Sequence, residues 1–191
     1  MESQRTSRAE AERKTSPEIR VFFAIWPDAA AMRALAALAQ RVAVEAKGRA
    51  TPAERVHLTL AFVGNVPVGD VERLAIIGRR VASHVGAFEL VLDRLGAFRD
   101  AGIAWIGASE SPAALGQLAR ELKTELAQAG FRTDERKFKA HLTLARRCTY
   151  RPPVETGVQI AWRVDALTLM ASELTPQGSR YTELDRAWLG A

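Results

Sequence analysis

Val56-His57-Leu58-Thr59-Leu60-Ala61-Phe62 and Ala140-His141-Leu142-Thr143-Leu144-Ala145-Arg146 are two copies of one short passage. The tetrapeptide His-Leu-Thr-Leu stands unchanged in both and uses two of the three histidines in the chain. Long apolar side chains alternate with His and Thr, the period of two that marks a strand rather than a helix. On a strand, His57 and Thr59 point to one face while Leu58 and Leu60 point to the other. His141 and Thr143 repeat the arrangement. Laid side by side, the two strands bring two imidazoles and two hydroxyls onto one surface, a set able to do acid–base chemistry on an anion. One copy alone would carry little weight, because Thr favours strands and a lone His in a strand is usually structural. Repetition is what gives the motif its force. His84, in Val81-Ala82-Ser83-His84-Val85-Gly86, has no such company and reads as a surface residue at a helix end.

The chain has 191 residues, enough for one domain, or two small lobes sharing a core, with a proper interior. Hydrophobic residues make up 48%, which argues for a folded globule over a disordered chain. No apolar run is long enough to span a bilayer, so no membrane partner is expected. Residues 1–18 are rich in Arg, Glu and Ser without an apolar central segment; they read as a flexible charged tail and not as a secretory signal. Cys148 is the only cysteine, which excludes an internal disulfide and any multi-cysteine metal site and suits a cytoplasmic protein. Lys and Arg number 27 against 22 Asp and Glu, a net charge of +5 whose sign suits an anionic substrate such as nucleic acid.

Outward from the repeated motif, residues 19–26 read as a buried first strand closed by Pro27-Asp28, and Asp28 is placed to cap a helix over 29–47. Its stripe is Met32, Leu35, Leu38, Ala39 and Val42. The first motif strand spans 56–63 and is expected to stop at Gly64-Asn65. A second helix begins near Asp70 and reaches Ser83, with Val71, Leu74, Ile77 and Val81 inward. A strand follows at 88–92, Leu95-Gly96-Ala97-Phe98 continues from it with an irregular end, and 103–107 is its hairpin partner across the turn Arg99-Asp100-Ala101-Gly102. Ser111-Pro112 reads as a cap and first helical residue for a helix to Ala129 on Leu115, Leu118, Leu122 and Leu126. The basic connector 132–139 leads into the second motif strand, 140–146. Beyond Tyr150-Arg151-Pro152-Pro153 come strands at 162–170 and 180–184, joined around Thr175-Pro176-Gln177-Gly178. Strand–helix–strand precedes the close of each motif strand, a pattern of duplicated halves. The fold class is therefore α+β: two pseudo-symmetric lobes of antiparallel sheet with helices outside, and the His-x-Thr-x strands lining a central cleft. Residues 19–191 form a single bilobal domain in this reading.

These residues resemble the 2H phosphoesterase superfamily, named for its two His-x-Thr-x motifs, and within it the bacterial and archaeal RNA 2′,3′-cyclic phosphodiesterases, also called 2′-5′ RNA ligases. Beyond the motifs, the resemblance rests on Arg20-Val21-Phe22-Phe23-Ala24-Ile25, Ala61-Phe62-Val63-Gly64, Leu95-Gly96-Ala97-Phe98, His141 through Arg146, and Tyr181-Thr182-Glu183-Leu184. One departure is Ala140, where many relatives carry Pro before the second His. The resemblance implies metal-independent hydrolysis of RNA terminal 2′,3′-cyclic phosphate to a 2′-phosphomonoester, with 2′-5′ joining as the reverse reaction. It implies that His57 is the general acid and His141 the base; the identical motifs by themselves leave that order open. It also implies ligand contact at Arg146.

The chemistry asks for what the motifs supply. Opening the cyclic ester needs one group to take a proton from water and another to give one to the departing ribose oxygen. Two imidazoles serve, one neutral and one protonated, and the rate is expected to be bell-shaped in pH. Thr59 and Thr143 are candidates to donate to the non-bridging phosphate oxygens. Two histidines without carboxylate or Cys partners make a poor zinc site, so no metal and no cofactor are expected. Strand parity puts Arg146 on the face opposite His141, and it reaches substrate only if the strand ends or bulges near Ala145. Phe62 stands at the same place after His57 and is a candidate to stack on a base, with a core phenylalanine as the plain alternative. Arg55, Arg136, Lys137 and Lys139 flank the motifs and suit a phosphate backbone, a solvated loop being the plain reading of each. No Gly-x-x-x-x-Gly-Lys-Ser/Thr loop exists to hold a nucleotide triphosphate. The expected partner is RNA with cyclic phosphate ends; a monomer is expected, with no obligate protein partner. The alternatives are a phosphodiesterase for 2′-5′ oligonucleotides or small cyclic nucleotides, and a non-catalytic module that binds RNA ends.

Overall fold

The computed structural model describes residues 17–134, 138–150, 157–176 and 178–190. Residues 1–16 of the N-terminal stretch, Arg136, Lys137 and Arg151-Pro152-Pro153 lie outside the described residues. The chain runs β1 (Glu18–Ile25), α1 (Ala29–Glu45), a short β2 (Arg49–Ala50), β3 (Leu58–Pro67), α2 (Val71–Ser83), β4 (Phe88–Leu92), β5 (Arg94–Phe98) and β6 (Ile103–Gly107). It continues as α3 (Ala113–Gln128), β7 (Leu142–Arg146), β8 (Ile160–Val164), β9 (Ala166–Thr175) and β10 (Gly178–Trp188). The main sheet has the order β10-β9-β1-β3-β7-β6-β5, with β2 beside β7, and β4 pairs β8 in a separate two-stranded sheet. These pairings are antiparallel throughout, giving an α+β fold.

The middle of the main sheet is where the two motif strands meet. β3 and β7 share one ladder position, Leu58 opposite Leu142, the residues that follow His57 and His141. Antiparallel strands in which a residue faces its own counterpart are related by a local two-fold axis normal to the sheet. The flanks obey it: β1 lies beside β3 as β6 lies beside β7. The helices obey it too, and cross over: α1, which leads from β1 towards β3, packs on β7, while α3, which leads from β6 to β7, packs on β3. Each half is therefore covered by the helix of the other, which keeps Leu58 and Leu142 out of water. Truncating either leucine to Ala would cost about 2–5 kcal/mol.

The apolar stripes fall as their periods require. Leu35, Leu38, Ala39 and Val42 of α1 are buried, as are Leu74, Ile77 and Val81 of α2 and Leu115, Leu118, Leu122 and Leu126 of α3; Met32 and Val71 are half-buried. Asp28 caps α1, its Oδ1 accepting from the Ala31 N–H at 2.8 Å. Ser111 does not cap α3: the helix opens after Pro112 with no side-chain cap bond. Gly64-Asn65 does not stop β3 either. Gly64 takes φ +87°, and the ladder with β1 continues from Val21↔Gly64 to Glu18↔Pro67. The expected single strand 162–170 is two strands that divide at Asp165 and join different sheets. The last hairpin is longer than 180–184 suggested, because β9 and β10 pair along ten positions. No helix among the described residues is long and apolar enough to cross a membrane.

Candidate active site

Strand parity alone would scatter the motif residues, and two bulges gather them. β1 opposes β3 through Ala24↔Thr59, Phe23↔Ala61 and Phe22↔Phe62, so Leu60 is skipped in the ladder. Leu60 and Ala61 are both buried against the core, and the extra residue returns Phe62 to the face of Thr59. β7 does the same: Trp105↔Thr143, Ala104↔Ala145 and Ile103↔Arg146 skip Leu144. Leu144 and Ala145 are both buried, and Arg146 comes round to the face of Thr143. The condition set by parity for Arg146 is thus met, at the place it required. Phe62 is 45% exposed on this face and is no core residue.

Each imidazole is fixed by the backbone two residues before it. His57 Nδ1–H donates to the Arg55 carbonyl at 2.9 Å, and His141 Nδ1–H donates to the Lys139 carbonyl at 2.6 Å. A carbonyl only accepts, so both rings carry the proton on Nδ1 and leave Nε2 as a free lone pair. The surroundings of the two rings differ. Phe22 and Trp26 lie at 5.1 and 4.9 Å from His57 in tilted stacks, and Tyr181 meets it edge-on at 5.1 Å. His141 is met edge-on by Phe98 at 5.0 Å, with Trp105 at 6.4 Å. Gly96 opposes Trp105 in the β5–β6 ladder and makes room for its indole: a Cβ there would fall 2.1 Å from the ring.

Burial lowers the proton affinity of both histidines. It takes His57 from 6.5 to about 4, against the opposing effect of the Arg55 carbonyl, with the charges of Arg146 and His141 acting in the same direction as burial. His141 is also lowered, first by burial and then by the charges of Arg146 and Lys139, while the Lys139 carbonyl raises it. The charge of Arg146 therefore bears on both rings. Among the described residues no three His, Cys, Asp or Glu side chains gather as a metal site.

The ladders bring Thr59, Phe62, Thr143 and Arg146 to one face. His57 and His141, each one residue before its strand and not on it as expected, join them through ring contacts with Phe22 and Trp26 and with Phe98 and Trp105. Lys139 stands by, its Nζ 5.8 Å from the Phe98 ring centroid, and Arg55 lies against Gly178 of the β9–β10 turn. Reading the sequence alone did not single out Phe22, Trp26 and Tyr181 as the walls of His57, although Tyr181 sits in one of the segments that carry the resemblance. His84 is where the sequence placed it, at the end of α2, with Nδ1 3.6 Å from Glu121. Of two surface depressions elsewhere, one of about 380 Å³ is lined by Glu89, Asp93 and Glu110 and is a poor place for an anion, and one of about 500 Å³ mixes Arg120 and His84 with Glu121 and Glu125.

The chain is similar to known proteins over most of its length. The sequence profile described as the 2′-5′ RNA ligase superfamily matches residues 24–175. An RNA 2′,3′-cyclic phosphodiesterase of Escherichia coli strain K12 is 34% identical over 143 residues, covering 73% of this chain and 78% of that protein. One from Thermus thermophilus is 30% identical over 179 residues, covering 88% and 89%. The crystal structure of E. coli LigT complexed with 3′-AMP superposes with a TM-score of 0.83 at 30% identity, over 92% of this chain and all of that one.

Proposed function

Because the chain belongs to the 2′-5′ RNA ligase superfamily, we propose that it hydrolyses the terminal 2′,3′-cyclic phosphate of RNA to a 2′-phosphomonoester by two-histidine acid–base catalysis without a metal. The observation that carries this reading is the pair of imidazoles. Each has Nδ1 occupied by the carbonyl two residues back, which leaves Nε2 as the nitrogen with a lone pair to offer.

The step balances within those two rings. His141 Nε2 takes a proton from water as the water oxygen attacks phosphorus. The bond from phosphorus to the 3′ oxygen breaks, and His57 gives that oxygen its proton, leaving a 2′-phosphate and a free 3′ hydroxyl. Burial keeps His57 neutral at pH 7 in the free protein. The negative phosphate that enters beside it supplies the charge that favours the imidazolium, so the acid is loaded by its own substrate. Thr59 and Thr143 hydroxyls donate to the non-bridging oxygens, and Arg146 offsets the charge that builds on them. Phe62 offers a face for the terminal base. Joining through a 2′-5′ linkage is the same step reversed. A cytoplasmic monomer acting on RNA ends is the simplest form of this reading.

The test is an RNA oligonucleotide with a 2′,3′-cyclic end, incubated in EDTA and resolved by chromatography that separates 2′- from 3′-phosphate products. Wild type is expected to give 2′-phosphate only. A product mixture, or a requirement for added metal, would sink the mechanism; RNA-end binding without turnover would leave a binding module.

A further inference from the structure

β2 is only two residues long, yet it places an arginine that the sequence did not mark. Arg49 opposes Arg146 in the β2–β7 ladder, and directly opposed residues share a face. Ala50, the next residue, faces Ala145 and packs on the core, so Arg49 is on the outer face with Arg146 and the imidazoles. Two cations directly opposite each other, with Cβ atoms about 5 Å apart, repel. An arginine cannot escape by losing its proton. Among the described residues neither guanidinium has a carboxylate within ion-pair distance, although Arg73, Arg79, Arg80, Arg180 and Arg186 all do. Both Arg49 and Arg146 are exposed. The repulsion is built in next to the catalytic face and is left unrelieved by any carboxylate among the described residues.

We propose that Arg49 holds a second phosphate of the substrate, the phosphodiester one step along the backbone from the cyclic end, with Arg146 shared between it and the reacting phosphate. Arg49 would thus make this an enzyme for the ends of RNA chains in preference to mononucleoside cyclic phosphates. The inference rests on the cyclic phosphodiesterase reading above. The layout favours this occupant: Arg146 acts on both imidazoles, Arg49 stands one cross-strand spacing beyond it on the same face, and a chain whose terminal phosphate lies at the imidazoles has its next phosphate to offer there.

The experiment compares kcat/KM for uridine 2′,3′-cyclic phosphate and for UpU bearing the same cyclic end, at several salt concentrations. Wild type is expected to prefer the dinucleotide at least about tenfold. Arg49→Gln is expected to shrink that preference below about threefold and to flatten the salt dependence for the dinucleotide by about one phosphate contact, while Arg49→Lys restores most of both. The thermal midpoint of Arg49→Gln should not fall, because a repulsion has been removed. An equal loss on both substrates would overturn the proposal by placing Arg49 at the reacting phosphate, and no loss on either would overturn it outright. Should wild type hydrolyse neither compound, the functional reading fails, and the subsite is then decided by calorimetric titration with UpU 2′-phosphate against uridine 2′-phosphate. A contrast that Arg49→Gln abolishes supports it, and an absent contrast refutes it.

Discussion

The segment that opens at His57 and the segment that opens at His141 begin alike and end differently. Both fix an imidazole through a carbonyl two residues upstream, both place Thr two residues on, and both bulge at Leu-Ala. At the position after the bulge one half presents the ring of Phe62 and the other the guanidinium of Arg146. Around His57 three aromatic rings close in; around His141 a phenylalanine edge and a more distant indole leave the ring more open. The backbone device is shared and the environment is not. In the proposed reaction two chemically identical side chains take opposite roles, and the surroundings of the rings are where the two halves differ.

The sharpest way to break that comparison is to remove one ring at a time. His57→Ala and His141→Ala are each expected to lower kcat by about 10²–10⁴-fold, and the double variant by little more than either alone, because the two act as one unit. Steady-state hydrolysis of a cyclic-ended oligonucleotide measures this. Activity that survives either loss would mean that the motif is a packing device.

Next in size is an effect on stability that should single out His57. Its folded value of about 4 lies below 6.5, so the unfolded chain binds the proton more readily. The stabilisation is therefore complete above about pH 6.5 and is lost as pH falls from there towards 4, amounting to about 3 kcal/mol. Urea unfolding at a series of pH values should show the loss, and His57→Gln should flatten it. His141→Gln should flatten it less, as its ring is the less enclosed. Equal slopes in wild type and His57→Gln would show that burial of this ring is not what titrates.

The smallest effects concern Phe62 and Arg146, where the halves diverge. Phe62→Ala is expected to raise KM about tenfold, the worth of one base stack of about 1–3 kcal/mol, with little change in thermal midpoint because the ring is half in water. Arg146→Gln should lower kcat and also raise the pKa of both imidazoles, followed by NMR titration, since its charge now depresses both. A shift confined to one histidine would place the guanidinium in one half only.

Much of this was legible before any coordinates. The doubled tetrapeptide, the three helical stripes and the Asp28 cap follow from period and side-chain chemistry. What escaped was register. Leu60-Ala61 and Leu144-Ala145 are adjacent apolar pairs that break a strict alternation, and that break is the trace of a bulge, but an alanine is too small to insist on either face. The extension of β3 past Gly64-Asn65 escaped because a glycine in the left-handed region can bend a strand without ending it. The division at Asp165 and the pairing of β2 with β7 depend on contacts distant in sequence. Arg49 was invisible for that reason: nothing near it in the chain announces Arg146.

The local two-fold between Leu58 and Leu142 has a consequence for how such a protein can change. Were the halves separate identical subunits meeting across that axis, every substitution would appear twice, and Phe62 and Arg146 would have to be one residue. Held in one chain, they vary independently. Covalent linkage is what allows a symmetric scaffold to carry a reaction that has a direction.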